Sequence, residues 1–217
     1  MTPPQLVVDD ILNHAEHVFL ESGVTASSTE TIAGLMGVAP ESILELYPDP
    51  LDLQVAMLNR EFTRMYQGIL SDIERDPEGG LLSRMYTYIF TQVYERPVAR
   101  TLYMIDRSSL HNLMSHQHAR NYVPSLTIQR ELLENLQQAG MLRPEVDLEV
   151  ASSVITVISG GLALTAPHEN LGEIVSALMT MAGNTFDAPV SDTRPGKQIF
   201  YAWATSLDTS IRPPGAL

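Results

Sequence analysis

The side chains best suited to chemistry lie near the middle of this 217-residue chain. Tyr103, Asp106 and His111 offer a phenol, a carboxylate and an imidazole close together in sequence, the group to mutate first if the chain were an enzyme. His111 and His118 are seven positions apart, so a helix would place both on one face, with His116 between them. No carboxylate or cysteine accompanies these histidines at ligand spacing, and no phosphate loop, nucleophile elbow or paired acid and base appears. We therefore expect no catalysis, no metal site and no cofactor.

A second group of side chains is suited to binding a ligand. Aromatic, methionine and histidine residues concentrate on two consecutive predicted helices, between which a cavity could hold a largely apolar small molecule. The predicted lining residues are Tyr86, Phe90, Tyr94, Tyr103, Met104, His111 and Met114. Tyr103 and His111 are the predicted polar anchors, because a buried hydroxyl or imidazole needs a hydrogen-bond partner. The alternative is that most of these residues are ordinary core residues.

Hydrophobic residues recur at spacings of three and four through most of the chain, and no strand-like alternation persists. This pattern predicts an all-α protein. The predicted helices are 9–21, 30–37, 40–47, 51–73, 81–94, 98–115, 123–139, 148–165 and 171–186, and 197–207 could form a further short helix.

The first three predicted helices form a helix-turn-helix candidate with a turn at Gly37. Hydroxyl side chains precede the second helix, where they can cap it, and a proline suits the first position of the third. The residues expected to face DNA in such a motif are Ser27, Ser28, Thr29, Pro40, Glu41, Ser42, Leu44 and Glu45.

The charge of this candidate motif is unfavourable for DNA. The chain has 13 Lys and Arg against 26 Asp and Glu, a net charge of −13. Residues 1–59 contain no Lys or Arg and carry −9 of that charge, which leaves −4 for the other 158 residues. Because affinity for duplex DNA comes largely from cations that displace counterions at phosphates, this segment has little to hold DNA with.

The N-terminal pattern nevertheless resembles the tetracycline-repressor (TetR) family. Residues 11–23 are similar to the first helix of that family, with its Ile-Leu, Ala, Leu-Phe and Gly positions. The matching continues without a gap at Ser27-Ser28-Thr29, Ile32-Ala33, Gly37-Val38, Tyr47 and Leu53. Residues 139–151 resemble a loop and helix start in the family's ligand domain. The resemblance implies an all-α, ligand-responsive transcriptional regulator.

The resemblance also implies a domain organisation and a homodimer. The expected parts are a helix-turn-helix domain at 1–50, a helical ligand-binding and dimerisation domain at 51–187, and a C-terminal extension at 188–217. Helices 148–165 and 171–186 are rich in small and β-branched residues, which allows close helix approach. In the family the corresponding pair forms a four-helix bundle with its twin; an internal core pair is the alternative.

The sequence departs from the family where DNA would be contacted. Pro40, Glu41, Ser42 and Leu44 replace a polar or basic residue, Gly, Thr and Tyr, and Pro50 stands where a lysine usually touches phosphate. These residues argue against direct operator binding. The alternatives are ordinary operator binding that uses Arg60 or Arg64, and a relative that does not bind DNA. Such a relative would act as a small-molecule binder, or as an antagonist or DNA mimic whose acidic N-terminal face meets a protein partner.

Composition suggests where the protein works. No stretch approaches roughly 18 uninterrupted apolar residues, since the longest candidate, 150–166, is broken by serine, threonine and glycine. The first ten residues carry neither a basic patch nor an apolar run, and the chain has no cysteine. We therefore expect a cytoplasmic protein without membrane contact.

Overall fold

A computed structural model describes residues 4–49, 51–102, 107–115, 130–165 and 169–207. The described residues are helical, apart from loops and a β-bridge between Leu142 and Asp187. The predicted all-α class is therefore confirmed. The α-helices are α1 (Pro4–Ser22), α2 (Thr29–Met36), α3 (Pro40–Leu44), α4 (Asp52–Arg75), α5 (Leu82–Glu95), α6 (Pro97–Arg100), α7 (Arg107–Met114), α8 (Arg130–Gln138), α9 (Leu148–Leu164), α10 (Leu171–Phe186) and α11 (Arg194–Leu207).

Most described helix ends lie within two residues of the predicted ones; α11 begins three residues earlier, at Arg194, and the start of the predicted helix 123–139 lies outside the described residues. The α1 helix begins at Pro4 rather than at the predicted residue 9, because a proline is tolerated in the first turn of a helix. The α3 helix ends at Leu44, because Pro48 follows the short turn that closes it. The predicted helix 98–115 corresponds to α6 and α7, and residues 103–106 between them lie outside the described part.

The first of two compact units comprises Met1–Phe62 and Arg96–Asn121. Its small core is formed by α1, α2 and α3, which bury Ala15, Phe19, Ile32, Ala33 and Ile43. The α4 helix begins in this unit, where Leu53 is fully buried and Gln54 Nε2 donates a 2.6 Å hydrogen bond to the Ser27 carbonyl. This arrangement holds α2 and α3 on a rigid base.

The second unit comprises Thr63–Glu95 and Tyr122–Leu217. Within it α5 packs along α10, and α8 packs against both α9 and α11. The α11 helix buries Phe200 and Ala204, so this C-terminal helix is part of the unit's core. No helix in the described ranges has the length and apolar character needed to cross a membrane.

Candidate functional site

The helix-turn-helix is built from well-formed local signals. Ser28 caps α2, since its Oγ accepts a 3.2 Å hydrogen bond from the Thr31 amide. Gly37 ends α2 with φ at 66°, in the left-handed region that glycine adopts without strain. Pro40 then occupies the first turn of α3, and Ile43 anchors that helix in the core. The scaffold is therefore intact.

The residues predicted to face DNA divide into two groups. Glu41, Ser42, Leu44 and Glu45 are exposed, and Ser28 and Pro40 are half-buried. Ser27 and Thr29 are buried, so for these two the sequence prediction is wrong. The Ser27 hydroxyl is used locally, since it donates to the Val24 carbonyl at 2.7 Å, and the Ser27 carbonyl accepts from Gln54 of α4 at 2.6 Å.

The structure adds apolar residues that the sequence prediction missed. Leu35, Val38, Leu44 and Leu46 are 55%, 42%, 38% and 48% exposed. We call these four residues together with Glu41 and Glu45 the α2–α3 face. Helical spacing could have identified them, since Ile32, Ala33 and Ile43 are sufficient to fill the inward side of these short helices.

Arg60, the first basic residue of the chain, is used inside the first unit. Its guanidinium donates to Glu16 Oε2 at 2.9 Å, to Asn13 Oδ1 at 2.9 Å and to the Asp9 carbonyl at 3.3 Å. Only 12% of the side chain is exposed. This cation therefore ties α4 to α1 and is already neutralised. Arg64, the other basic residue considered, is exposed and belongs to the second unit.

Three predicted pocket residues lie together on α5. Tyr86, Phe90 and Tyr94 are buried, and the ring centroids of Tyr86 and Phe90 are 5.7 Å apart. Burial raises the pKa of the Tyr86 phenol, with a smaller contribution from Tyr66, and burial raises the pKa of Tyr94 to about 12. Both phenols are thus neutral groups in an apolar environment.

Among the other predicted pocket residues, only His111 has a described side chain. His111 lies on α7 in the first unit and is exposed, so it is not the buried anchor that was predicted. An exposed imidazole needs no protein partner, because water satisfies it. Met114 ends α7, but its side chain lies outside the description, as do Tyr103 and Met104. Asp106, His116 and His118 also lie outside, and the described residues contain no group of three potential metal ligands.

A polar cavity of about 310 Å³ lies between α5 and α10 and was not predicted. Its walls include the hydroxyls of Ser83, Thr87 and Thr180 and the carboxylate of Asp187. Ser83 Oγ donates to Asp187 Oδ2 at 2.5 Å. Burial raises the pKa of Asp187, although the hydrogen bonds from Ser83 oppose this shift. The carboxylate thereby caps the start of α5, a structural role that accounts for its burial.

Large apolar side chains are exposed on α9, and one is exposed on α10. A groove of about 490 Å³ on α9 is lined by Val150, Val154, Val157 and Ile158, with polar residues at its edge. Val157, Leu164 and Met181 are 73%, 81% and 67% exposed. Val150, Val154, Val157 and Leu164 follow one another at spacings of four, three and seven, so they lie on one side of α9.

Comparison with known proteins identifies the fold. No family model matches the chain, and no curated protein matches it. It is similar to a structure solved to show the molecular basis for control of antibiotic production by bacterial hormones, with TM-score 0.61, 16% identity and coverage of 86% of this chain and 100% of that one. For the fatty acid degradation regulator FadR from Bacillus halodurans the TM-score is 0.53, the identity 18% and the coverage 84% and 96%. For a TetR-family transcription regulator from Shewanella sp. PV-4 these values are 0.51, 15%, 83% and 98%.

Proposed function

We propose that this chain, whose fold is that of TetR-family transcription regulators, is a homodimeric, ligand-responsive regulator that does not hold operator DNA through its own helix-turn-helix. Regulators of antibiotic production and of fatty acid degradation are among the solved proteins with this fold. That similarity supports regulation as the general function. The proposed absence of operator binding rests on this chain's own residues.

The observation that carries the proposal is the chemistry of the α2–α3 face. Its charged positions are carboxylates, the neighbouring exposed Ser42 is uncharged, and residues 1–59 supply no Lys or Arg. Arg60 is engaged by Glu16 and cannot reach a phosphate without breaking that ion pair. Since a dimer would present two such faces, the negative charge of 1–59 would oppose a polyanion twice.

A titration with DNA tests this proposal. Fluorescence anisotropy with duplexes from the chain's own upstream region, at about 50 mM salt, should show no specific binding at micromolar protein. The double variant Glu41→Lys, Glu45→Lys should gain non-specific affinity that falls steeply as salt rises, because it adds cations at an exposed surface. Nanomolar, sequence-specific binding by the unmodified chain would show ordinary operator recognition instead.

The proposed ligand is a largely apolar small molecule held against Tyr86, Phe90 and Tyr94. The three buried rings supply apolar area, and the phenols of Tyr86 and Tyr94 supply polar anchors. In a thermal-shift screen with apolar compounds, a true ligand should raise the melting temperature of the unmodified chain. The gain should shrink in Tyr94→Phe, which removes one hydroxyl and keeps the ring. An equal gain in both proteins would show that the ligand does not use the Tyr94 hydroxyl.

The proposed assembly is a homodimer through α9 and α10. The exposed Val157, Leu164 and Met181 support it, because an isolated chain would leave this apolar surface in water. The absence of cysteine agrees with a reducing compartment, so we assign the regulator to the cytoplasm. The limits 1–50, 51–187 and 188–217 remain our proposal for a division by function; the compact units divide the chain differently, and α11 packs into the core of the second unit.

A further inference from the structure

The α2–α3 face combines two properties that rarely coincide on a solvent-facing surface. Leu35, Val38, Leu44 and Leu46 expose aliphatic side chains within one helix-turn-helix, whose inward positions are filled by other residues. Single exposed hydrophobic residues are common, but four in twelve residues make an apolar surface that favours burial. This surface is therefore suited to contact with another macromolecule.

The charged side chains exposed on α2 and α3 are all acidic. Glu41 and Glu45 lie one turn apart on and beside α3, both exposed, and Glu30 is exposed on α2. No ion pair joins these three carboxylates to a basic group among the described residues, since the nearest cation in sequence, Arg60, is bound to Glu16. The carboxylates are therefore available to an incoming cation.

From this combination we infer that the α2–α3 face docks a basic amphipathic segment of another protein, an inference that rests on the proposed loss of operator binding. Aliphatic side chains of the partner would cover Leu35, Leu44 and Leu46, and its lysines or arginines would pair with Glu41 and Glu45. Complementary charge sets the orientation and speeds association, while the apolar contact supplies most of the affinity.

Charge also excludes other occupants of the same face. Duplex DNA and anionic lipid surfaces would meet carboxylates without a compensating cation. Two copies of this chain meeting face to face would bring Glu41 and Glu45 of each against the same residues of the other. Like charges at an interface disfavour such self-association, which leaves a cationic partner as the occupant.

Calorimetric titration of the full chain with a designed peptide tests the inference. The probe is a helical peptide with leucines at spacings of three and four and with lysines and arginines on the flanks. The matched peptide keeps the leucines and replaces every cation with glutamate. We expect micromolar binding of the basic peptide, no binding of the acidic one, and weaker binding as salt rises from about 50 to about 200 mM.

Variants of the full chain identify the surface. Two double variants should each lower the affinity for the basic peptide by about tenfold or more. One is Glu41→Gln with Glu45→Gln, and the other is Leu44→Ser with Leu46→Ser. Leu20→Ser is the matched control, because Leu20 is 40% exposed on α1, outside the face, and this variant should bind normally. Circular dichroism melts confirm that each variant is folded, as expected for exposed positions.

Specific outcomes would overturn the inference. These are no binding of the basic peptide at about 0.5 mM, equal binding of both peptides, or unchanged affinity in both double variants. Operator DNA that competes with the peptide at nanomolar concentration would overturn the proposed function as well. If the chain binds neither the peptide nor its upstream DNA, the proposed loss of operator binding stands and the docking inference alone is wrong.

Discussion

Arg60 is a cation that is held by contacts inside the protein and is therefore not presented to DNA. Its guanidinium bridges α4 to α1 through the Glu16 carboxylate, the Asn13 amide and the Asp9 carbonyl. Replacing it with alanine would leave Glu16, which is 28% exposed, without its partner. Arg60→Ala should therefore lower the free energy of unfolding by about 2 kcal/mol in urea titrations.

The control for Arg60 is Arg75→Ala. Arg75 is also on α4 and also contacts a carboxylate, Asp72 at 3.2 Å, but its side chain is 75% exposed. Solvent screens such a pair, so the loss should stay within about 0.5 kcal/mol. Equal losses for both variants would mean that the Arg60 network adds nothing beyond a surface ion pair.

Asp76 makes the stability of the second unit depend on pH. Burial raises the pKa of its carboxyl, but hydrogen bonds from the Glu78 amide, the Tyr88 hydroxyl and Arg84 outweigh burial, and the net shift is downward. Ionised Asp76 therefore stabilises the fold above its unfolded pKa of 3.8, and this contribution is lost as pH falls through the folded pKa.

The corresponding variant is Asp76→Asn. It should lower the free energy of unfolding by about 1 kcal/mol near pH 6, discounted because Arg84 is 39% exposed. The difference from the unmodified chain should shrink at about pH 3, where the unmodified carboxyl takes up a proton. Urea titrations at both pH values measure it, with Glu74→Gln as an exposed control on α4. A difference that is constant with pH would contradict the assigned shift.

The sequence predicted which kinds of side chain are present at the candidate sites better than it predicted which of them are exposed. Glu41 and Glu45 were correctly expected to face solvent, because Ile43 fixes the inward side of α3. Ser27 was expected to face DNA and is buried; its carbonyl accepts from Gln54 of α4, a partner distant in sequence. His111 was expected to be buried from its aromatic neighbours in sequence, yet it belongs to a different unit from the α5 rings.

At the scale of elements, local signals predicted α2, α9 and α10 with small errors. Ser28, Gly37 and Asp147 cap these helices, and each is of a residue type that favours its cap position. The packing of α11 was less accessible, because it depends on contacts between residues more than a hundred positions apart. Thr193 Oγ1 donates to the Pro77 carbonyl at 2.7 Å, and Lys197 Nζ donates to the Glu74 carbonyl at 2.9 Å.

Gly80 tests how α11 is attached. A Cβ at this position would overlap the Thr193 carbonyl oxygen, and a Cβ at Gly196 would overlap the Gly80 carbonyl oxygen. Because backbone atoms cannot yield as a side chain can, Gly80→Ala should separate α11 from the turn before α5 and lower the free energy of unfolding by about 2 to 3 kcal/mol.

Tryptophan fluorescence measures this separation directly. Trp203 is the only tryptophan of the chain, and it packs on α11 against Tyr66 and Phe200 with ring centroids 6.1 and 5.2 Å away. Gly80→Ala should shift its emission to longer wavelength. Gly172→Ala is the control, since a Cβ on that exposed α10 residue meets no atom within 4 Å. An unshifted emission in Gly80→Ala would mean that α11 packs without this close approach.

At the scale of the whole molecule, charge and apolar surface are distributed unevenly. Residues 1–59 carry −9 of the net charge of −13, whereas α9 exposes four large aliphatic side chains, those of Val150, Val154, Val157 and Leu164. The acidic segment could be read directly from the sequence. For α9 and α10 the sequence predicted only helices rich in small residues. It could not predict which of their side chains are exposed, because sequence alone does not distinguish an internal helix pair from an interface between chains.

The large aliphatic side chains exposed on α9, together with Met181 on α10, predict the oligomeric state. Light scattering should give twice the 24.0 kDa mass of one chain at micromolar concentration. In Val157→Glu with Leu164→Glu, the mass should fall to that of one chain with helicity retained, because both positions are exposed in a monomer, whereas a dimer would bury unpaired carboxylates at a cost of several kcal/mol. Leu20→Glu, an exposed leucine on α1, should leave the dimer intact. A single-chain mass for the unmodified protein, or a dimer that survives both glutamates, would show that these helices are not the interface.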